Sequence, residues 1–191
     1  MSDVAERIRR VICDVVAEAL RQSGAAGVAV LEDWTPEGEL LYEWLVRSLG
    51  EPRVWREAAV ASNVHGTGAA AVVLLAHPSS RTALLLEGRP PDADLFPFGD
   101  LAASRLAMLA GGWTGTAEVR ALADAAGGVE ALDAALERVV AGGGAVGAAA
   151  TLPGDAEAGL LRLYERGRFF RRHARLVPKL GPRTLGIDLF D

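Results

Sequence analysis

The sequence predicts an α/β fold, a three-layer arrangement with a mainly parallel sheet flanked by helices and a helical C-terminal part. Three observations predict it. Short continuous apolar runs at 28–31 and 70–76 have the look of strands buried on both faces. Segments with helical spacing alternate with those runs, the signature of a layered domain with a parallel sheet. Half of the 191 residues are hydrophobic, enough to bury a sizeable core and to exclude global disorder.

Residues 3–22 form the clearest helix, with Val4, Ile8, Val11, Ile12, Val15, Val16, Ala19 and Leu20 on one face at i, i+4, i+7 spacing. Gly24 ends it. Val28 to Leu31 is the first buried strand, and the polar turn 32–37 follows. Leu40, Leu41, Trp44, Leu45 and Leu49 return to helical spacing until Gly50-Glu51-Pro52 stops it. Residues 54–61 are a weaker strand candidate, 62–68 a loop and 70–76 a second buried strand. A Pro-rich irregular stretch, 89–99, leads to a helix over 100–110 with Leu101, Leu106 and Leu109 inward. Helices over 116–126, 129–140 and 155–167 complete the chain, separated by Gly127-Gly128 and Gly142-Gly143-Gly144. The tail 169–191 is basic and then loop-like. The chain reads as one domain, residues 1–191, with an α/β part over 1–110 and a mostly helical part over 111–191.

Composition excludes several function classes. The net charge of −5 argues against a general nucleic-acid or membrane-surface binder. Of the 20 basic residues 19 are Arg and one is Lys, Lys179, so a mechanism needing two lysines is excluded. One cysteine, Cys13, permits no internal disulfide and reads as a small core residue. Three histidines and one cysteine, none spaced as a ligand set, predict no structural metal site. The charged N-terminus and the lack of a window of roughly 20 apolar residues predict a cytoplasmic protein.

In a parallel sheet, ligands sit beyond the carboxyl ends of the strands, which singles out the turn 32–37 and the loop 77–81. Glu32, Asp33 and Glu37 read either as a divalent-metal cluster or as turn residues, with Thr35-Pro36-Glu37 as N-cap, N1 and N2 of the next helix. Trp34 reads as a platform for a base or as packing on the sheet end. Ser79, Ser80 and Arg81 read as a small-anion site, with a serine capping the next helix as the alternative. His65 is a general-base candidate whose partner the spacing does not supply. Asp100, the acidic residue best matched to the pattern below, reads as a ligand-binding candidate or, beside Gly99 at a helix start, as an N-cap. Arg166, Arg168, Arg171, Arg172, Arg175, Lys179 and Arg183 form the densest basic region.

Four stretches carry a resemblance. They are the opening helix with Gly27-Val28-Ala29-Val30-Leu31, then His77-Pro78-Ser79-Ser80-Arg81-Thr82-Ala83-Leu84-Leu85-Leu86. Next come Asp94-Leu95-Phe96-Pro97-Phe98-Gly99-Asp100-Leu101 and the tail from Phe170-Arg171-Arg172 to Pro178-Lys179-Leu180-Gly181-Pro182-Arg183-Thr184-Leu185-Gly186-Ile187-Asp188. In this order they resemble ammonia-dependent NAD synthetases. The second is similar to that family's G-T-S-N-K-[ST]-E-L-L-L and the third to its D-x-N-P-x-G-D-L. The fourth is similar to the K-R-R and P-K-L-x-x-R-T-x-G-x-D ending of some members. The resemblance implies an adenine-nucleotide α-hydrolase-like fold, a homodimer, and ATP with Mg²⁺ to adenylate deamido-NAD before ammonia displaces AMP. It also implies dinucleotide contacts from Arg171, Arg172 and Lys179.

Departures from the family pattern fall on its chemistry. The pyrophosphate loop S-G-G-x-D-S reads Asp33-Trp34-Thr35-Pro36-Glu37-Gly38 here. Asp33 sets a carboxylate against pyrophosphate, a repulsion of roughly 1 kcal/mol for unit charges at about 4 Å even in water. Trp34 fills space that glycine leaves open, and Pro36 removes a donor. Ala83 stands for the metal-associated glutamate and Ala103 for the lysine that assists the ATP phosphates. Arg81 keeps the charge of a family lysine. The segment between Gly50 and His77 is several dozen residues shorter than in the family. The expectation is a synthetase-like protein whose amidation, ATP and Mg²⁺ are lost. It is kept as a nucleotide- or anion-binding or regulatory module. The alternatives are a dimerisation partner of an active synthetase and a ligase with altered chemistry at Asp33, Glu37 and His65.

Overall fold

Helix α1 (Asp3–Ser23) buries Ile8, Ile12, Val16 and Leu20, one residue per turn, while Val4, expected on the same face, is exposed in the helix's first turn. Asp3 and Glu6 in its first turn and Arg21 in its last suit the helix dipole. Cys13 lies on the buried side, its thiol against the Trp44 carbonyl at 3.5 Å and its pKa pushed up by burial. The computed structural model describes residues 3–31, 34–57, 73–87, 93–144, 152–171 and 177–180.

Strand β1 (Gly27–Leu31) is buried at all five positions. Gly27 is required there, since a Cβ would lie 2.4 Å from both the Arg53 carbonyl and the Trp55 ring. Helix α2 (Pro36–Leu49) opens with the predicted cap: Thr35 accepts from the Gly38 N–H, and Pro36 stands at N1. Gly50, at φ 87°, ends it. A 3-10 turn (Glu51–Arg53) feeds β2 (Val54–Glu57), and β3 (Val73–Ala76) follows.

The three strands form a parallel sheet in the order β2-β1-β3, with Val28 beside both Val54 and Leu74. Val28, Val30, Val54, Leu74 and Ala76 share the face that packs on α1 and α2. Trp44 of α2 meets Phe98 edge-on at 5.7 Å in the same core. Leu31 and Leu75 point to the opposite side. There they join α3 (Arg81–Leu86), α5 (Ala117–Ala126), α6 (Val129–Ala141) and α7 (Gly154–Arg171) in a second apolar cluster. The chain is therefore a mixed α/β protein with a small parallel sheet flanked by helices, seven of them α-helices among the described residues.

Two expectations need correction. The second strand was expected to be buried on both faces. Val73, Leu74 and Leu75 are only half-buried, because β3 has β1 on one side and a single bridge, Ala76 to Leu95, on the other. The helix expected from Asp100 is α4 (Ala103–Ala110), so Asp100 is not its N-cap. Asp100 instead accepts the Leu180 N–H at 2.6 Å, and the Leu101 carbonyl accepts the Arg81 N–H at 2.7 Å. The start of α4 is capped from a distance. Asp133 of α6 accepts the Ser104 N–H at 2.8 Å and the Thr82 hydroxyl, and Thr82 Oγ1 accepts the Ala103 N–H at 3.0 Å. These contacts satisfy first-turn donors that Ala102 has no side chain to reach.

The helical C-terminal part matches its expected spans to within a few residues, α7 running on to Arg171. Strand candidate residues 58–61 and 70–72 and the loop 62–68 lie outside the described residues. No helix among the described residues is long and apolar enough to cross a membrane.

Candidate functional site

From the central strand β1 the chain passes to β2 on one side and, later, to β3 on the other. The carboxyl ends of β1 and β3 are thus the point where a parallel sheet opens a crevice. A cleft of about 270 Å³ lies there. Leu31 closes its floor at the end of β1. Thr35 and Glu37 come from the start of α2, and His77 to Ser80 from the loop after β3. Ala83 and Glu87 come from α3 and its end, and Thr114 to Thr116 from the loop before α5.

Three of these residues cap helices. Thr35 caps α2, Ser80 caps α3 by accepting the Ala83 N–H at 3.2 Å, and Thr116 caps α5 by accepting the Val119 N–H at 3.4 Å. The cleft therefore gathers helix starts, the parts of a fold best supplied with backbone donors. Several of those donors are already engaged. Pro36 has no N–H. The Gly38 N–H goes to Thr35 Oγ1 at 3.1 Å and the Glu39 N–H to the Thr35 carbonyl at 3.0 Å. Glu37, only 3% exposed, accepts from both the N–H and the hydroxyl of Thr114. Glu87 accepts the Thr116 N–H at 2.7 Å. Burial holds the Glu87 carboxyl above the usual glutamate range, against the lowering effect of the Thr116 N–H and with the nearby Glu37 charge adding to it.

Opposite the carboxylates, His77 Nδ1 and Ser79 Oγ share a hydrogen bond at 2.7 Å. The His77 N–H donates to the Leu95 carbonyl at 3.0 Å, and its ring tilts against the buried Phe96 at 6.4 Å.

The sequence candidates distribute unevenly over this site. Thr35, Glu37, Ser79 and Ser80 line the cleft. Arg81 does not line it; its guanidinium pairs with Glu137 at 2.8 Å. Ser79, Ser80 and Arg81 are thus committed to three different partners and do not converge on one anion. Trp34 neither packs on the sheet end nor lines the cleft. It is 78% exposed, at φ 57°, with the Arg56 guanidinium 5.2 Å from its ring. Arg56 is held in turn by Tyr42 at 3.9 Å and by a two-point pair with Glu39. Lys179 is exposed, and Arg166 pairs with Glu118 at 2.7 Å. Asp33, His65, Arg172 and the side chain of Arg171 lie outside the described residues. Among the described residues no group of three His, Cys, Asp or Glu is placed to hold a metal ion. Glu87, Thr114 and Thr116 were not singled out from sequence. Only the cap position of Thr116 left a local trace, a threonine directly before a helical segment.

Comparison of the chain with protein-family models, with curated proteins and with solved structures finds no match.

Proposed function

We propose that this chain is an NAD synthetase-like module on an adenine-nucleotide α-hydrolase-like fold. In this reading it has lost ATP-dependent amidation and keeps its cleft as a small-ligand site. One observation carries the reading. At the carboxyl ends of β1 and β3, backbone donors that suit an anion are held by the protein's own groups, the Thr114 N–H by Glu37 and the Thr116 N–H by Glu87. A helix start is a ready anion site only while its N–H groups point outward at the ligand. Here Pro36 lacks one, Thr35 takes two, and a carboxylate stands where a phosphate oxygen would.

The residues do not fit ATP with Mg²⁺. Ala83 lines the cleft at the position where the resemblance implies a metal-associated glutamate, and it has no ligating atom. Ala103, fully buried, stands for the phosphate-assisting lysine and presents no charge.

The test combines purified chain, ATP, Mg²⁺, ammonia and deamido-NAD. The expected result is no NAD and no AMP above background, and turnover well above background overturns the reading. Calorimetry with NAD, deamido-NAD and ATP then tests the retained site. No heat from any of these phosphate-bearing ligands is the result expected of a cleft lined by Glu37 and Glu87, and tight binding of one of them contradicts that account of the site.

A further inference from the structure

We infer that His77 and Ser79 form a nucleophile–base pair that transfers the acyl group of small uncharged esters. The inference goes beyond the loss of amidation and does not depend on it.

Four features support the pair. Ser79 Oγ stands 2.7 Å from His77 Nδ1, within reach for proton transfer, and both line the cleft. The imidazole is fixed from behind by Phe96 and at its backbone by the Leu95 carbonyl, so its approach to Ser79 is set by packing. Glu37 and Glu87 line the same cleft and favour the imidazolium that forms when His77 takes the proton. Ser80 lines the cleft and its oxygen accepts from the Ala83 N–H, which leaves its hydroxyl hydrogen available as a donor to a developing oxyanion. The substrate class follows from the walls. The volume admits a short acyl chain, and the two carboxylates disfavour an anionic substrate.

The step balances within the site. Ser79 Oγ bonds to the ester carbonyl carbon while its proton passes to His77 Nδ1. The carbon–oxygen bond to the alcohol breaks, and the leaving oxygen takes that proton from His77. Water then repeats the sequence on the acylated Ser79, releasing the acid and restoring the serine hydroxyl.

The experiment uses the full chain with p-nitrophenyl acetate and, separately, a fluorophosphonate probe followed by peptide mass spectrometry. The expected result is a phosphonyl adduct on Ser79 and release of p-nitrophenol. Ser79→Ala should reduce release to the buffer rate, and His77→Asn should lower it by about 10²–10⁴-fold with circular dichroism unchanged. No adduct on Ser79 of the unaltered protein, or equal ester turnover in Ser79→Ala and the unaltered protein, overturns the inference. Neither outcome bears on the amidation assay, which does not use Ser79 as a nucleophile.

Discussion

Replacing Glu37 with alanine tests how the cleft is built. Its two oxygens accept from the Thr114 N–H and from the Thr114 hydroxyl, the latter at 3.1 Å. A hydrogen bond to a charged group contributes about 1.5–3 kcal/mol. A carboxylate in the first turn of a helix adds about 0.3–1 kcal/mol. Against this, Thr114 is exposed, so water replaces part of what its N–H loses. The net expectation for Glu37→Ala is a loss of about 2–3 kcal/mol. For a chain of this length that is a fall in Tm of roughly 4–12 °C. Glu37→Gln keeps an acceptor for the Thr114 N–H and loses only the charge, so it should cost about half as much. Urea unfolding followed by circular dichroism measures both. A Glu37→Ala protein within about 0.5 kcal/mol of the parent would refute the reasoning, because the loop before α5 would then not depend on this clasp.

Substitutions at three further positions test the rest. Glu87 has its folded pKa raised, so its contribution is complete below the ordinary value of 4.5 and is lost as pH rises through the folded value. Glu87→Gln retains an acceptor for the Thr116 N–H; it should raise the unfolding midpoint at pH 7 and leave it unchanged at pH 4, and an equal shift at both values contradicts the assignment. Asp133→Ala removes the remote cap of α4 and should cost about 3 kcal/mol in urea unfolding, with Asp133→Asn between it and the parent. Gly27→Ala drives a methyl against the Arg53 carbonyl, a backbone atom that cannot rotate away, and should cost about 2 kcal/mol or more by the same measurement.

What the sequence made legible was local or periodic. The α1 stripe follows from a 3.6-residue repeat, and Thr35-Pro36-Glu37 was readable because capping involves neighbours in the chain. The loop 77–81 was found by a rule about strand ends, which needs only strand order. The clasp was not legible, because Glu37 meets Thr114 across 77 residues and Glu87 meets Thr116 across 29. Asp100 shows the same limit in reverse. Its sequence neighbourhood suits a cap, yet the Leu180 N–H, 80 residues away, takes the carboxylate. For Trp34, hydrophobicity argued for burial. Its positive φ and the Arg56 stack turn it outward, at a backbone cost that the cation–π contact offsets in part.

The two carboxylates connect the proposed loss of phosphate chemistry with the inferred ester chemistry. A doubly charged pyrophosphate facing Glu37 and Glu87 meets about 4 kcal/mol of repulsion per charge pair at about 4 Å with an effective dielectric of 20. Even one such pair is roughly a thousandfold in affinity. An uncharged ester meets no such term, and the imidazolium formed at His77 meets it with the opposite sign. In the proposed reading the same groups disfavour phosphate in the cleft and favour a proton moving from Ser79 to His77. Partial protonation of Glu87, which its raised pKa places nearer neutrality than an ordinary glutamate, weakens both effects together. Lowering the pH should therefore relax phosphate exclusion and slow ester turnover in parallel. A cleft in which the two responses separate would not have its charge set by this pair.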